Sequence, residues 1–111
     1  MEFDIAIIGG GIVGAATFYQ LQKKNPTLKI ALFEKENILA KHQTGHNSGV
    51  LHSGLYYKPG SLKAKNCIEG KQEMIAFAKE YGIAHDICGK VVVASNQQEI
   101  VRLEKIHQTG I

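Results

Sequence analysis

Phe3-Asp4-Ile5-Ala6-Ile7-Ile8-Gly9-Gly10-Gly11-Ile12-Val13-Gly14 decides the fold. The near-continuous apolar run at 3–8 predicts a strand covered on both faces, as in a parallel sheet. Residues 12–24 carry Val13, Gly14, Thr17, Phe18 and Leu21 at three- and four-residue spacing, which predicts a helix packed through that face. Asn25-Pro26 ends it, because proline disfavours helical geometry in the residue before it. Lys29-Ile30-Ala31-Leu32-Phe33 predicts a second strand that closes on Glu34.

Strand, glycine-rich turn, helix, strand and acid together describe a dinucleotide-binding βαβ unit. Gly9 permits the sharp exit from the strand, Gly11 leaves space for a pyrophosphate, and Gly14 lets the helix close on the strand. The helix N-terminus, at Ile12 and Val13, offers free N–H groups and a partial positive charge to phosphates. Glu34 stands twenty residues past Gly14, where a carboxylate accepts hydrogen bonds from both hydroxyls of an adenosine ribose. The glycine spacing by itself also marks ordinary turns. The surrounding strands and the terminal acid give it meaning here.

The chain has 111 residues, 44% hydrophobic and 21% charged, which excludes a disordered or low-complexity segment. Length allows one domain, yet a dinucleotide-binding sheet needs more strands than this chain offers, and the stretch at 100–106 reads as a helix shortly before the last residue. The expectation is an incomplete α/β domain, the N-terminal part of a longer protein. Net charge is +3, with lysines dispersed and no arginine cluster or interleaved aromatics, which excludes a nucleic-acid surface. The mild positive balance suits an anionic substrate or a membrane surface. Cys67 and Cys88 form no C-x-x-C pair and read as free buried thiols. Strand residues begin at Phe3 without a basic leader, and the apolar runs are too short to span a bilayer. The expected compartment is the cytoplasmic side, with peripheral attachment to the inner face of the membrane open.

Residues 35–60 show neither helical nor alternating period, and long irregular stretches in compact domains are usually functional. Ser61 is placed to cap a helix over 62–81, weakened inside by Gly70 and ended by a left-handed Gly82. Residues 85–88 could form a short edge strand, and Gly89-Lys90-Val91-Val92-Val93-Ala94 predicts a strand from its β-branched content. Asn96 and Glu99 predict a capping box on a last helix over 97–107.

Within the irregular stretch, Gln43-Thr44-Gly45-His46-Asn47-Ser48-Gly49-Val50-Leu51-His52-Ser53-Gly54 is the second informative motif. Its glycines let backbone approach a flat or phosphorylated ligand, and Asn47, Ser48 and Ser53 offer hydroxyl and amide groups to phosphate or ribityl oxygens. His46 and His52 add imidazoles, the side chain suited to proton transfer near neutrality. His42, His46 and His52 lack zinc spacing and an acidic or thiol partner nearby, so no metal is expected.

Together with the first motif, Thr44-Gly45-His46-Asn47-Ser48-Gly49-Val50-Leu51-His52-Ser53-Gly54-Leu55-Tyr56-Tyr57 resembles the FAD-dependent oxidoreductases of the D-amino-acid oxidase superfamily. Within it the chain is most similar to the L-2-hydroxyglutarate oxidase/dehydrogenase family, as are Tyr56-Tyr57-Lys58-Pro59-Gly60-Ser61-Leu62-Lys63-Ala64 and Cys88-Gly89-Lys90-Val91-Val92-Val93-Ala94. The resemblance implies a Rossmann-like FAD-binding βαβ unit followed by the start of an antiparallel substrate region. Residues 1–60 would form the dinucleotide core and flavin loop. Residues 61–111 would form a helix, strand and helix leading to the substrate region.

The resemblance also implies FAD held by Gly9, Gly11, Ile12, Val13, Gly14, Glu34 and Lys35, with Thr44, Asn47, Ser48, Gly49, Val50 and His52 along the pyrophosphate, ribityl chain and flavin edge. The implied reaction oxidises (S)-2-hydroxyglutarate, a 2-hydroxy dicarboxylate, to 2-oxoglutarate, with oxygen or a membrane quinone chain as the final electron acceptor. His52 is the candidate base for the hydroxyl proton, and a flavin-positioning role is its alternative. This chain is expected to be inactive alone. The alternatives are an FAD oxidoreductase for an amino acid or glycerol-3-phosphate, and a non-catalytic truncated remnant.

Overall fold

A computed structural model describes residues 2–110 of the chain. It divides into two compact units, Met1–Gly49 and Val50–Ile111.

The first unit is built on β1 (Ile5–Ile8), α1 (Ile12–Lys24) and β2 (Ile30–Phe33). β1 and β2 pair in parallel with Ile5 opposite Ile30 and Ile8 opposite Phe33. Parallel strands need a crossover, and α1 supplies it. The ladder extends past both ends: Gly9 N–H donates to Phe33 O at 2.7 Å, and Asp4 N–H to Lys29 O at 2.8 Å. Asp4 also accepts from Lys29 N–H through its carboxylate at 2.8 Å, which ties the first strand to the start of the second.

Two expectations need correction. β1 is covered on one face only: Ile5 and Ile7 are half-buried, whereas Ile8 is 81% exposed. A single helix shields one side of a sheet, and among the described residues of this unit α1 is the only α-helix. The packed face of α1 is also rotated from the expected one. Gly14, Ala15, Phe18, Leu21 and Gln22 are half-buried, while Val13 is 77% exposed and Thr17 faces solvent with its hydroxyl on the Val13 carbonyl at 2.8 Å. Gly14 sets this rotation, because a Cβ there would collide with the Gly9 carbonyl oxygen. The helix therefore touches the strand exit at Gly14, and its neighbours at three- and four-residue spacing follow.

The second unit holds α2 (Leu62–Glu80) and α3 (Gln97–Gly110). Ser61 caps α2, its Oγ accepting from Ala64 N–H at 3.2 Å. Gly82, at φ +64°, ends it: Ile83 N–H donates to Ala78 O at 2.8 Å and Gly82 N–H to Lys79 O at 3.4 Å. These paired bonds satisfy two carbonyls that the helix end leaves open. Ala64, Cys67, Lys71, Ile75 and Ala78 form the less exposed stripe of α2. At α3, Asn96 Oδ1 accepts from Glu99 N–H at 3.0 Å. Glu99 reaches back to Ser95 N–H at 2.7 Å, one residue before the position expected for a capping box.

Neither strand expected at 85–88 and 89–94 forms. Among the described residues no ladder reaches them, and Val91 and Val93 are 85% and 76% exposed. β-branched residues favour a pleated surface only where a neighbouring strand receives their N–H and C=O groups. The thiols are free, but Cys88 is exposed and Cys67 only half-buried, which corrects the expectation of burial.

Candidate functional site

The glycine turn between β1 and α1 is the centre of the first unit. Gly9 takes φ +101°, a region open mainly to glycine, and turns the chain out of the sheet. Gly10 is buried. Its N–H donates to Glu34 Oε2 at 2.7 Å, and its carbonyl accepts from Ala40 N–H at 3.0 Å. A side chain at Gly10 would meet Leu39 at 2.5 Å and Glu34 at 3.1 Å. Reading the motif by its spacing passed over Gly10, although three consecutive glycines were the signal that the middle one is also crowded.

Glu34 points into this turn from the end of β2. Its Oε1 accepts from Glu36 N–H at 3.1 Å. The Gly10 N–H first, and the Glu36 N–H second, hold its carboxyl below the usual carboxylate range. Lys35 is exposed and its backbone N–H acts in the same direction. Each oxygen keeps acceptor capacity, since an ionised carboxylate offers about four lone-pair sites.

Next to it, Glu36 binds Lys41 Nζ at 2.8 Å and His42 Nε2 at 2.9 Å. The Lys41 ammonium first, and His42 second, lower the Glu36 pKa. These contacts brace residues 36–42, and the segment is tied to the glycine turn by the Ala40 N–H on Gly10 O and by Thr44 Oγ1 on the Ile12 N–H. Among the described residues Ala40, at φ +60°, is the non-glycine residue in a left-handed conformation. The Gly10 carbonyl secures it there, and its own carbonyl lies where a Cβ on Gly45 would be.

Thr44 sits at the mouth of α1. Its Oγ1 accepts from Ile12 N–H at 2.9 Å and lies 3.1 Å from where a Gly11 Cβ would stand. The space that Gly11 leaves therefore receives an oxygen. Asn47 holds Thr44 in place: its Nδ2 donates to the Thr44 carbonyl at 2.6 Å and to Gln43 O at 3.2 Å, and its Oδ1 accepts from Gly49 N–H at 2.7 Å. His46 braces the same turn, its Nδ1 at 2.8 Å from His42 O. Ser48 and Gly49 are exposed.

The first unit thus brings together Gly9, Gly11, Ile12, Gly14, Glu34, Thr44 and Asn47. Among the described residues, the N–H groups of Gly11, Val13 and Gly14 have no protein acceptor. Unspent amides at a helix N-terminus, glycines without Cβ atoms and a carboxylate facing the turn suit a diphosphate joined to a ribose.

Val50 and His52 belong to the second unit. There the 52–57 segment and Lys90 line a cavity of about 250 Å³. The His52 carbonyl accepts from the Cys67 thiol at 3.1 Å, and Cys67 Cβ lies 3.3 Å from where a Gly54 Cβ would be, so α2 carries this segment. Lys90 Nζ stands 4.4 Å from the centre of the Tyr56 ring, and Lys63 Nζ 5.4 Å from that of Tyr57. Lys90 was read only as part of a strand, and nothing in its spacing would have placed it against Tyr56.

A family model described as "FAD dependent oxidoreductase" matches residues 4–110. A protein of Indibacter alkaliphilus named L-2-hydroxyglutarate dehydrogenase is 55% identical over 111 residues, covering 100% of this chain and 28% of that protein. Mitochondrial L-2-hydroxyglutarate dehydrogenases of Dictyostelium discoideum and Homo sapiens are each 51% identical, over 98% and 99% of this chain and 24% of their own length. The chain thus spans about a quarter of the length of the curated relatives it matches.

Proposed function

Because the chain belongs to the family of FAD-dependent oxidoreductases, we propose that it serves the oxidation of (S)-2-hydroxyglutarate to 2-oxoglutarate. The observation that carries the cofactor half of this reading is the trio of unspent amides at Gly11, Val13 and Gly14 beside a Glu34 carboxylate already turned into the glycine turn. The substrate half rests on the similarity to relatives named for that acid.

In this reading the N–H groups ahead of α1 hold the diphosphate of FAD, and Glu34 accepts from the ribose hydroxyls. Thr44, Asn47, Ser48, Gly49 and Val50 line the path toward the flavin, and Lys35 flanks the adenosine end. Bound FAD supplies the acceptor for the two electrons that leave the substrate Cα with its hydrogen. His52 takes the hydroxyl proton, a role open to an exposed imidazole at the rim of a cavity. Electrons then pass to oxygen or a membrane quinone chain. Among the described residues no helix is long and apolar enough to cross a membrane.

The deciding experiment is anaerobic mixing of the native FAD-loaded protein that carries these residues with (S)-2-hydroxyglutarate, a D-amino acid and glycerol-3-phosphate in turn. Bleaching of the flavin by the first alone is the expected result. Bleaching by either of the others, and not by the hydroxy acid, overturns the substrate assignment. The 111 residues by themselves are proposed to be catalytically incompetent, so stoichiometric flavin with turnover on this chain alone would refute that part.

A further inference from the structure

We propose that Lys90 is the residue that selects a dicarboxylate over a monocarboxylate, by binding the carboxylate remote from the reacting carbon, with the Tyr56 ring as its resting place. The proposal rests on the 2-hydroxy acid reading of the His52 site.

Lys90 and His52 line the same 250 Å³ cavity, which is roomy enough for a five-carbon dicarboxylate. The Lys90 ammonium sits 4.4 Å from the Tyr56 ring centre, and among the described residues no carboxylate pairs with it. An ammonium resting on an exposed aromatic face is held weakly, whereas a carboxylate ligand offers it a charge-assisted hydrogen bond. The cation is thus kept at the cavity wall but not neutralised. Lys90 follows Gly89, at φ +75°, so a turn rather than a regular element delivers it there. Lys63, which stands over Tyr57 from α2, does not line the cavity, and this separates the two lysines chemically although both contact tyrosines.

The test uses the native FAD-loaded protein carrying Lys90→Met, Lys90→Arg or Lys63→Met. Anaerobic flavin reduction is followed with (S)-2-hydroxyglutarate and with (S)-2-hydroxybutyrate, which lacks the second carboxylate. Glutarate, which cannot be oxidised at a hydroxyl, is titrated against the flavin absorbance as a binding probe. Lys90→Met is expected to weaken the hydroxyglutarate and glutarate constants by about 10- to 100-fold while leaving those for hydroxybutyrate within threefold. Lys90→Arg, which keeps the charge, is expected to recover most of that loss, and Lys63→Met to change both acids equally and by less than threefold. Equal weakening of both acids by Lys90→Met, or none, overturns the proposal. If the unmodified protein is not bleached by either hydroxy acid but by another substrate class, the parent reading fails first and takes this inference with it.

Discussion

The Gly10 N–H donates to Glu34 Oε2 at 2.7 Å, joining residues twenty-four positions apart. This one bond ties the turn after β1 to the end of β2, so the acid proposed to bind a sugar also fixes the loop proposed to hold a diphosphate. Its protonation should therefore register in the stability of the unit. The Glu34 carboxyl is held below its usual range by the Gly10 and Glu36 amides, and Glu36 by Lys41 and His42. A carboxyl depressed in the folded state stabilises it fully above the ordinary carboxylate range, and that contribution is lost as pH falls through the depressed range. Thermal midpoints measured from pH 7 to pH 2 should hold level and then fall at the acid end. Glu34→Gln should flatten that acid limb, and an unchanged limb would contradict the role given to this bond.

Two glycine-to-alanine changes should act in opposite directions. At Gly14 a Cβ meets the Gly9 carbonyl, so Gly14→Ala should destabilise by roughly 1–3 kcal/mol as helix and strand are forced apart. At Gly70, inside α2, nothing lies within 4 Å of the added carbon, and Gly70→Ala should stabilise by about 0.5–1 kcal/mol. Urea titrations of the two variants provide the check, and a loss at Gly70 matching that at Gly14 would count against the contacts described.

The ends of α2 should be separately sensitive. Removing the Ser61 hydroxyl leaves the Ala64 N–H without its cap, so Ser61→Ala should cost about 1 kcal/mol. Gly82→Ala forces a Cβ into a left-handed conformation and should cost roughly 1–2 kcal/mol. Circular dichroism melts that show neither loss would mean that α2 ends elsewhere in solution.

Much of this architecture was legible in the residues. The bounds of α1 follow from Gly11 and Asn25-Pro26, and the caps of α2 and α3 from Ser61, Gly82 and Asn96, because those signals are local. Long-range partners were not legible. Val91 and Val93 read as a strand because composition reports propensity, whereas a ladder requires a second strand that no local pattern guarantees. The rotation of α1 was missed because Val13 and Thr17 fit the apolar period as well as Ala15 does, and only the Gly14–Gly9 contact chooses between them. At the site, Glu34 and the glycines were read from their spacing. The crowding of Gly10 by Leu39, the left-handed Ala40 and the approach of Lys90 to Tyr56 all arise from loops without a period.

Thr44 tests the mouth of α1 in the absence of ligand. Thr44→Val keeps the shape but removes the acceptor for the Ile12 N–H, and should cost roughly 0.5–1.5 kcal/mol. Faster hydrogen exchange at Ile12, with Ile5 to Ile8 unaffected, is the expected signature.

If the amides after β1 grip a diphosphate while Glu34 holds the sugar, a titration of the ¹⁵N-labelled chain with millimolar ADP, compared with adenosine, will reveal it. ADP should shift the Gly10, Gly11, Ile12, Val13 and Gly14 amides, adenosine should leave them unmoved, and Glu34→Gln should weaken the ADP response. ADP shifts confined to residues outside the glycine turn, or equal responses to adenosine and ADP, would contradict it.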